Sequence, residues 1–176
     1  MTPDDLFEQL SDPNRRGLPP VETWQPDREG SSEMRIDAQG RWFHQGGQIK
    51  REALVRVFST ILRREADHYF LVTPVEKLSI EVEDAPFLVV GMDVRGAGES
   101  QEIVFATHTD DLVIANAEHP IRVAEGPEVR PYVEVRAGLE ALINRPVYYR
   151  LAELAVETPD GYGVWSGGVF FLLQWE

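Results

Sequence analysis

The fold is decided by residues 69–90, YFLVTPVEKLSIEVEDAPFLVV, the longest block of strand-forming sequence in the chain. Two strands are predicted within it, Tyr69–Thr73 and Leu78–Glu83. Apolar and polar residues alternate in the second strand, with Leu78, Ile80 and Val82 separated by Ser79, Glu81 and Glu83. This alternation predicts a strand with one buried face and one solvated face.

A break separates these two strands. Pro74 cannot donate a hydrogen bond to a sheet ladder, and Thr73 before it is pushed towards an extended conformation. We therefore expect a turn or bulge that presents Glu76 and Lys77 at the end of a strand. A plain β-turn with a solvated ion pair is the alternative interpretation of the same residues.

One main helix is predicted ahead of this block, over residues 49–64. Apolar residues recur there at the spacing of a single buried helical face: Ile49, Ala53, Leu54, Val57, Phe58, Ile61 and Leu62. We expect the helix to end near Arg64–Ala66, where cations suit the negative end of the helix dipole. A short helix is also predicted over Asp4–Leu10.

The other predicted elements are mostly short strands. Two hairpins are expected, Met34–Asp37 with Arg41–His44 and Phe87–Val94 with Gln101–Thr107, since Gly-containing turns join them. Further strands are predicted at Leu112–Ala115, Ile121–Ala124, Tyr132–Arg136, Tyr148–Glu157 and Gly168–Trp175. A second, weaker helix is predicted at Gly138–Asn144, and a turn over residues 159–163.

These elements predict an α+β fold made of two related small units in tandem. The predicted order of elements in each unit is strand, helix, strand, strand. Duplication of one ancestral unit is one interpretation. The alternative is that this order is common and arose in the two units independently. We expect an extended arm over residues 1–33, a first unit over residues 34–85 and a second over residues 86–176. Trp24 is expected to anchor the arm, and the sheets should be mostly antiparallel.

Composition narrows the class of protein. The chain of 176 residues has 43% hydrophobic residues, no cysteine and a net charge of −13. Such a charge argues against non-specific nucleic-acid binding, and no apolar run approaches the roughly 20 residues of a membrane span. Because the N-terminus lacks a signal-peptide pattern and cysteine is absent, we expect a cytoplasmic protein. Residues 34–77 carry a charge of +3. This charge suits either binding of an anionic ligand or docking of the segment on the acidic remainder of the chain.

Catalytic motifs are scarce. The chain has no HExxH, GxSxG or Walker sequence. His108, Asp110 and Asp111 form the one cluster that resembles metal ligands or an acid–base pair, although aspartates are also usual in turns. We therefore expect a binding protein without catalytic residues, metal or cofactor, and a metal-assisted hydrolase at this cluster is an alternative.

Several of these segments resemble a bacterial family, the domain-of-unknown-function family numbered 1285. The resemblance lies in VTPVEK and VEDAPF within residues 69–90, in the strands around Met34 and Trp42, and in EHPIRV at residues 118–123. It covers nearly the whole chain from Leu18 onward. It implies two related α+β units, the second similar to a pleckstrin-homology barrel, and a ligand-binding role in signal transduction, with no known reaction.

The resemblance also implies a site for a small, nucleotide-like ligand in a groove between the units. We expect seven residues to form it: Arg35, Trp42, Thr73, Glu76, Lys77, His119 and Arg122. Trp42 would stack on a base, while Lys77 and Arg122 would bind phosphate. A protein-interaction adaptor that uses an exposed sheet edge or the acidic second half is the alternative function.

Overall fold

The structure of the chain is a computed structural model that describes residues 17–174. These residues divide into two compact units between Asp84 and Ala85. The helix predicted at Asp4–Leu10 and the end of the strand expected through Trp175 lie outside the described residues. Within residues 17–174, no helix is both long and apolar enough to cross a membrane.

The first unit is a six-stranded sheet with one helix. Its elements are β1 (Arg28–Ile36), β2 (Trp42–His44), β3 (Gly47–Gln48), α1 (Glu52–Ser59), β4 (Leu62–Glu65), β5 (His68–Val72) and β6 (Glu76–Val82). The strand order is β3-β2-β1-β6-β5-β4. Every neighbouring pair is antiparallel except β1 and β6, which are parallel. Two antiparallel meanders are therefore joined through one parallel pair.

The helix packs on one face of this sheet. Phe58 of α1 is fully buried, and its ring centroid lies 6.3 Å from that of Trp42 in β2. The same face carries the buried side chains of Met34, Ile36, Leu62, Leu71 and Ile80. The alternation predicted for residues 78–83 is thus confirmed, since Ser79 and Glu81 are exposed on the other face. That second face remains polar.

The main helix is half as long as predicted. α1 ends at Ser59, and Leu62–Glu65 forms β4 instead of a final helical turn. Ser59 Oγ donates to the Arg56 carbonyl and Thr60 Oγ1 donates to the Val57 carbonyl, each at 2.6 Å. Ile61 and Leu62 are buried in the core beneath the sheet. Their spacing from Val57 and Phe58 fits a helical face, although neither residue is part of the helix.

A buried arginine ties the segment before β1 to this sheet. Arg63 Nη1 donates to the carbonyl oxygens of Val21 and Trp24, at 3.0 and 2.7 Å, and Nη2 donates to Glu65 at 3.1 Å. Val21 is buried within a 3-10 turn, Val21–Thr23. The anchor of this segment is therefore Val21 and two backbone carbonyls, whereas we expected the Trp24 side chain. β1 also begins at Arg28, earlier than the strand predicted from Met34.

The second unit contains two sheets and one helix. Its elements are β7 (Phe87–Arg95), β8 (Glu102–Thr107), β9 (Leu112–Ile114), β10 (Ile121–Ala124), β11 (Arg130–Arg136), β12 (Leu139–Ile143), α2 (Arg145–Glu153), β13 (Val156–Thr158), β14 (Gly161–Ser166) and β15 (Val169–Gln174). The larger sheet has the order β10-β11-β12-β7-β8-β9, and β13-β14-β15 form the smaller one.

The helix predicted at Gly138–Asn144 is wrong, because this segment is the strand β12. Ala137 and Gly138 both have positive φ, 46° and 78°, which makes a tight two-residue turn back onto β11. Leu139, Ala141 and Ile143 are then buried at every second residue. Period-two burial in the sheet overrides the helical propensity of Leu and Ala.

The strand predicted at Tyr148–Glu157 is wrong over residues 148–153, since α2 occupies Arg145–Glu153, whereas Val156 and Glu157 at its end lie in β13. Asn144 is the N-cap, and its side chain accepts a hydrogen bond from the Val147 backbone N–H at 3.0 Å. Pro146 lies in the first turn, where proline is tolerated. Asn144 and Pro146 are a helix-start signal. The prediction gave more weight to the strand preference of Tyr148 and Tyr149. The turn expected over residues 159–163 is shorter, because β14 begins at Gly161.

The two six-stranded sheets share one topology. Taken from β9, the second sheet reads β9-β8-β7-β12-β11-β10, which matches the first sheet strand for strand in chain order. Its parallel pair is β7 with β12, the first and sixth strands of its unit. The predicted α+β fold of two related, mostly antiparallel units is therefore confirmed. The repeat aligns β1–β6 with β7–β12, which differs from the predicted alignment. The short helix of the first unit lies between β3 and β4, whereas that of the second unit follows β12.

The turn between β1 and β2 depends on one carboxylate. Asp37 is 3% exposed, and its Oδ1 accepts hydrogen bonds from the backbone N–H groups of Gln39 and Arg41 at 3.0 and 2.8 Å. Its Oδ2 accepts one from Arg41 Nε at 2.6 Å. Burial alone raises the pKa of Asp37, but the hydrogen bonds and charge of Arg41 and the Gln39 N–H outweigh it and lower the pKa below its ordinary value.

We predict that Asp37→Ala lowers the free energy of unfolding by about 1–3 kcal/mol at pH 7, because two backbone donors lose their acceptor. A depressed pKa stabilises the fold above the ordinary aspartate value of about 3.9, and this contribution is lost as the pH falls through the lower folded pKa. The difference between wild type and variant in urea unfolding should therefore shrink below about pH 4. Asp160→Ala, in an exposed turn, is the control and should change stability little. An equal difference at pH 7 and pH 3 would contradict the assignment.

A second prediction concerns Gly163 in β14. A Cβ atom at this residue would lie 2.3 Å from the Phe171 carbonyl oxygen and 2.6 Å from Cζ of Phe170. The carbonyl belongs to the paired strand β15 and cannot move without breaking the ladder. We expect Gly163→Ala to cost about 1–3 kcal/mol in denaturant unfolding, the usual penalty of overpacking. Gly91→Ala in β7 is the matched control, because its Cβ would meet only the Ala106 side chain at 3.6 Å. Similar stabilities of the two variants would refute this account.

Candidate functional site

A groove of about 560 Å³ lies on the polar face of the first unit's sheet, opposite the face that α1 covers. β1, β6 and β5 form its floor. The turns that follow β2 and β4 border it through Gly46 and Asp67. The side chains that this face presents to the groove are Ser31, Glu33, Arg35, His68, Phe70, Ser79 and Glu81.

An irregularity in β1 shapes this floor. Between the pairs Ser31–Ser79 and Arg35–Glu81, β1 advances four residues while β6 advances two. Ser32 Oγ donates to the Ser79 carbonyl at 2.7 Å and accepts from the Met34 N–H at 3.1 Å, which holds the extra residues in place. Glu33 has a φ of 57°, and its carboxylate accepts from Gln45 Nε2 at 2.7 Å. Such bulges turn side chains away from the regular ladder.

Arg35 stands at one end of the groove and is already engaged. Its guanidinium pairs with Glu83 at 2.5 Å and lies 4.4 Å from the ring centroid of Phe43. The other Glu83 oxygen accepts from the Ala38 N–H at 3.0 Å, so Glu83 is fixed in position. Arg35 is therefore directed towards Glu83 and Phe43, although the register places it opposite Glu81.

Lys77 is engaged in the same way near the start of β6. Its ammonium group lies 3.1 Å from a Glu29 oxygen and 3.3 Å from a Glu65 oxygen, and 4.7 Å from the ring centroid of Phe70. The Glu29 hydrogen bond is the main cause of a raised pKa of Lys77. Burial raises the pKa of Glu65, but hydrogen bonds from Arg63 and Lys77 outweigh it and lower that pKa. Glu65 and Lys77 therefore keep their charges near neutral pH.

Four polar side chains that line the groove have no hydrogen-bond or ion-pair partner among residues 17–174. They are Asp67, His68, Ser79 and Glu81, and all four are exposed. Phe70, between His68 and Lys77 in space, is half-buried and supplies an apolar wall. The groove thus offers an unpaired carboxylate and hydroxyl beside an aromatic ring.

The Thr73-Pro74-Val75 break is a tight turn between β5 and β6. Thr73 is buried, and its Oγ1 accepts hydrogen bonds from the N–H groups of Val75 and Glu76 at 3.3 and 3.1 Å. Glu76 pairs with Arg28 at 3.8 Å. The predicted turn is confirmed, with Glu76 and Lys77 at the start of a strand. Thr73 and Glu76 lie outside the residues that line the groove.

The ring of Trp42, which we expect from the sequence to stack on a ligand, lies in the core of the first unit. It is 1% exposed and packs against Phe58 under the helix. A ring buried there cannot reach a ligand without opening the core. Phe43, one residue later, points to the polar face and lies beneath Arg35. Successive side chains of a strand point to opposite faces, so one of the two rings is buried and the other faces the groove side. A strand of three residues is too short for its sequence to show which one.

The remaining predicted site residues belong to the second unit. His119 Nδ1 lies 3.1 Å from the Glu134 carbonyl oxygen. Arg122 makes a two-pronged ion pair with Glu140, at 2.7 and 2.8 Å, and its guanidinium lies 4.5 Å from the Tyr132 ring centroid. Both are therefore engaged within that unit. The expectation that they join Arg35 and Lys77 at one ligand stays a prediction.

The histidine–aspartate cluster forms a turn between β8 and β9. Asp111 accepts hydrogen bonds from Thr107 and Thr109 hydroxyls at 3.1 and 2.7 Å and pairs with Arg136 at 3.2 Å. The Leu88 N–H donates to His108 Nδ1 at 3.2 Å. Within residues 17–174, no group of three or more potential ligands is arranged to hold a metal ion. These contacts give the cluster a structural role in the turn.

Sequence reasoning found Arg35 of the groove and missed Ser31, His68, Phe70, Ser79 and Glu81. It did identify the solvated side of β6, which carries Ser79 and Glu81. What it lacked was the neighbour of that strand, because the partner β1 is more than forty residues away in sequence. No local pattern reports such a pairing.

We predict that Thr73 stabilises the turn and makes no ligand contact. Thr73→Val removes the hydroxyl that serves two backbone donors, and we expect a loss of about 1–3 kcal/mol in urea unfolding. Thr73→Ser keeps the hydroxyl and is the matched control, with a smaller loss. If Thr73→Val were as stable as wild type, the hydroxyl would have no part in the turn.

Comparisons with known proteins agree with this architecture. Residues 19–85 match the N-terminal domain of DUF1285, described as a domain of unknown function, and residues 86–173 match its C-terminal domain. A crystal structure of a DUF1285 family protein from Silicibacter pomeroyi DSS-3 has a TM-score of 0.90 and 46% identity, covering 97% of this chain and 94% of that one.

A second crystal structure, of a DUF1285 family protein from Shewanella baltica OS155, has a TM-score of 0.56 and 28% identity. The match covers 68% of this chain and 90% of that one. No curated protein matches the chain. Since the two family domains together span residues 19–173, in the order of the two structural units, the chain belongs to the DUF1285 family.

Proposed function

We propose that the chain is a non-enzymatic binding protein, and that the groove on the first unit takes up a small ligand. The observation that carries this proposal is the groove itself, about 560 Å³ in volume, in which His68, Ser79 and Glu81 have no partner among the described residues. Small-molecule sites typically measure about 300–1,000 Å³ and combine an apolar wall with a few polar groups.

The residues of the groove favour binding over catalysis. A nucleophile needs an adjacent base within hydrogen-bond reach. Ser31 Oγ instead accepts from the Glu33 N–H at 3.1 Å, which is a local turn contact. Ser79 faces Ser31 across the β1–β6 pair, without a histidine in the register. Two hydroxyls and a carboxylate on a rigid sheet are suited to hydrogen bonding a ligand in one orientation.

The ion pairs weigh against a phosphate-bearing ligand. Lys77 and Arg122 would be the phosphate-binding cations, and each of them, like Arg35, already contacts at least one carboxylate. A phosphate would have to displace Glu83, Glu29 or Glu140 and leave that carboxylate uncompensated. These ion pairs therefore favour a neutral or cationic ligand over the nucleotide-like ligand that the family resemblance implies.

We predict that filling the groove abolishes ligand uptake. Ser79→Phe places a large ring on the floor of the groove at a position that is exposed and has no side-chain partner among residues 17–174. Native mass spectrometry of the purified full chain, beside a thermal-shift panel of metabolites, should show a ligand for wild type and none for this variant.

The matched control is Glu157→Phe, which adds the same ring at an exposed position of β13. It should leave ligand uptake unchanged. If Ser79→Phe folds, binds and shifts like wild type, the groove is not the binding site and the proposed function fails.

A further inference from the structure

Within residues 17–174, the carboxylate of Glu81 on the floor of the groove has no cationic partner. Glu81 lies on the polar face of β6, and the residue opposite it in β1 is Arg35. A cross-strand pair of this kind normally forms an ion pair. Here the Arg35 guanidinium is held by Glu83, which follows the last residue of β6, and by the Phe43 ring at 4.4 Å. Glu81 has no hydrogen-bond or ion-pair partner within residues 17–174.

The nearest lysine on the same face of the sheet, Lys77, lies outside the residues that line the groove and is also engaged. Lys77 lies on the same face of β6 as Glu81 and could neutralise this surface. It is held between Glu29 and Glu65, at 3.1 and 3.3 Å, and above the Phe70 ring. Two carboxylates share one ammonium group there, so Lys77 contributes no spare positive charge to the groove.

The rim adds negative charge. Glu33 and Asp67 border the groove, and its lining includes one arginine, which Glu83 neutralises. Glu33 is held in place by Gln45, a neutral partner that leaves its charge intact. The lining of the groove therefore carries a negative charge surrounded by hydroxyl groups and a ring.

These observations define the chemistry that would complete the site. Glu81 can only accept hydrogen bonds when ionised, while the Ser31 and Ser79 hydroxyls donate or accept. A positively charged donor group, an ammonium or a guanidinium, would pair with Glu81 and bond to the neighbouring hydroxyl. The carbon skeleton of such a ligand would lie along Phe70.

We propose that the ligand of this groove carries a positively charged amine or guanidinium group, which Glu81 binds. This inference rests on the proposed function, since it names the class of ligand that the groove takes. A phosphate or carboxylate ligand is disfavoured by the same charges. The volume of about 560 Å³ favours a free small molecule over a protein surface.

Isothermal titration calorimetry of the full chain tests this with agmatine and putrescine as cationic probes, and with adenosine monophosphate and succinate as anionic ones. We expect saturable binding of at least one cationic probe and none of the anionic probes. Binding should weaken as sodium chloride is raised from 50 to 300 mM, because the pairing is solvent-accessible.

Glu81→Gln should weaken binding of the cationic probe at least tenfold, with little change in stability, since it keeps the size of the side chain. Glu157→Gln, an exposed glutamate of β13, is the matched control and should bind like wild type. The tripeptide Gly-Arg-Gly separates two sources of the cation. Binding of agmatine indicates a free small molecule, and binding of the tripeptide alone indicates an arginine side chain of a peptide.

Two results would overturn this inference. The first is Glu81→Gln with wild-type affinity, and the second is an anionic probe that binds more tightly than the cationic ones. If Ser79→Phe still abolishes uptake of another ligand, the groove remains a binding site and the assigned class alone is wrong. If neither variant changes any binding, the proposed function fails together with it.

Discussion

The parallel pairing of β1 with β6 is the interaction on which the first unit depends. It joins two antiparallel meanders, β1-β2-β3 and β4-β5-β6, into one sheet, and α1 with its flanking turns is the connection between them. Parallel strands need such a crossover because a tight turn cannot return the chain in the same direction. The second unit repeats the arrangement with β7 and β12, and there the crossover has no helix.

The same pairing creates the groove. It brings Ser31 beside Ser79 and Arg35 beside Glu81, from segments that are more than forty residues apart. The two extra residues in β1 break the ladder there, and Glu33 adopts a positive φ to accommodate them. Arg35 in the groove is paired with Glu83, and Lys77 on the same face of the sheet is paired with Glu29 and Glu65. The negative charge of the groove therefore depends on which residues the strand register brings together, more than on the amino-acid composition of the segment.

Much of the fold could be predicted from local pattern. The hairpins at residues 34–44 and 87–107 and the turn at Thr73 follow from glycine, proline and alternation. The wrong predictions have two causes. Residues 61–65 and 139–143 carry apolar spacings that suit a helix or a strand, and burial in a sheet selects the strand. At residues 145–153 the aromatic residues favoured a strand, whereas Asn144 and Pro146 start a helix. Of the predicted site, only Arg35 lines the groove.

The sequence by itself determined the two-unit α+β organisation, the solvated face of β6 and the family, because alternation, turn residues and the strings in residues 69–90 are local information. The tertiary structure decided which residues face each other. Trp42 is in the core and Phe43 on the polar face because β2 pairs with β1 in one register. Within residues 17–174, Glu81 has no ion-pair partner because Glu83 holds the arginine opposite it. Pairings across such sequence distances depend on packing energies of the whole sheet, which no local stretch of sequence records.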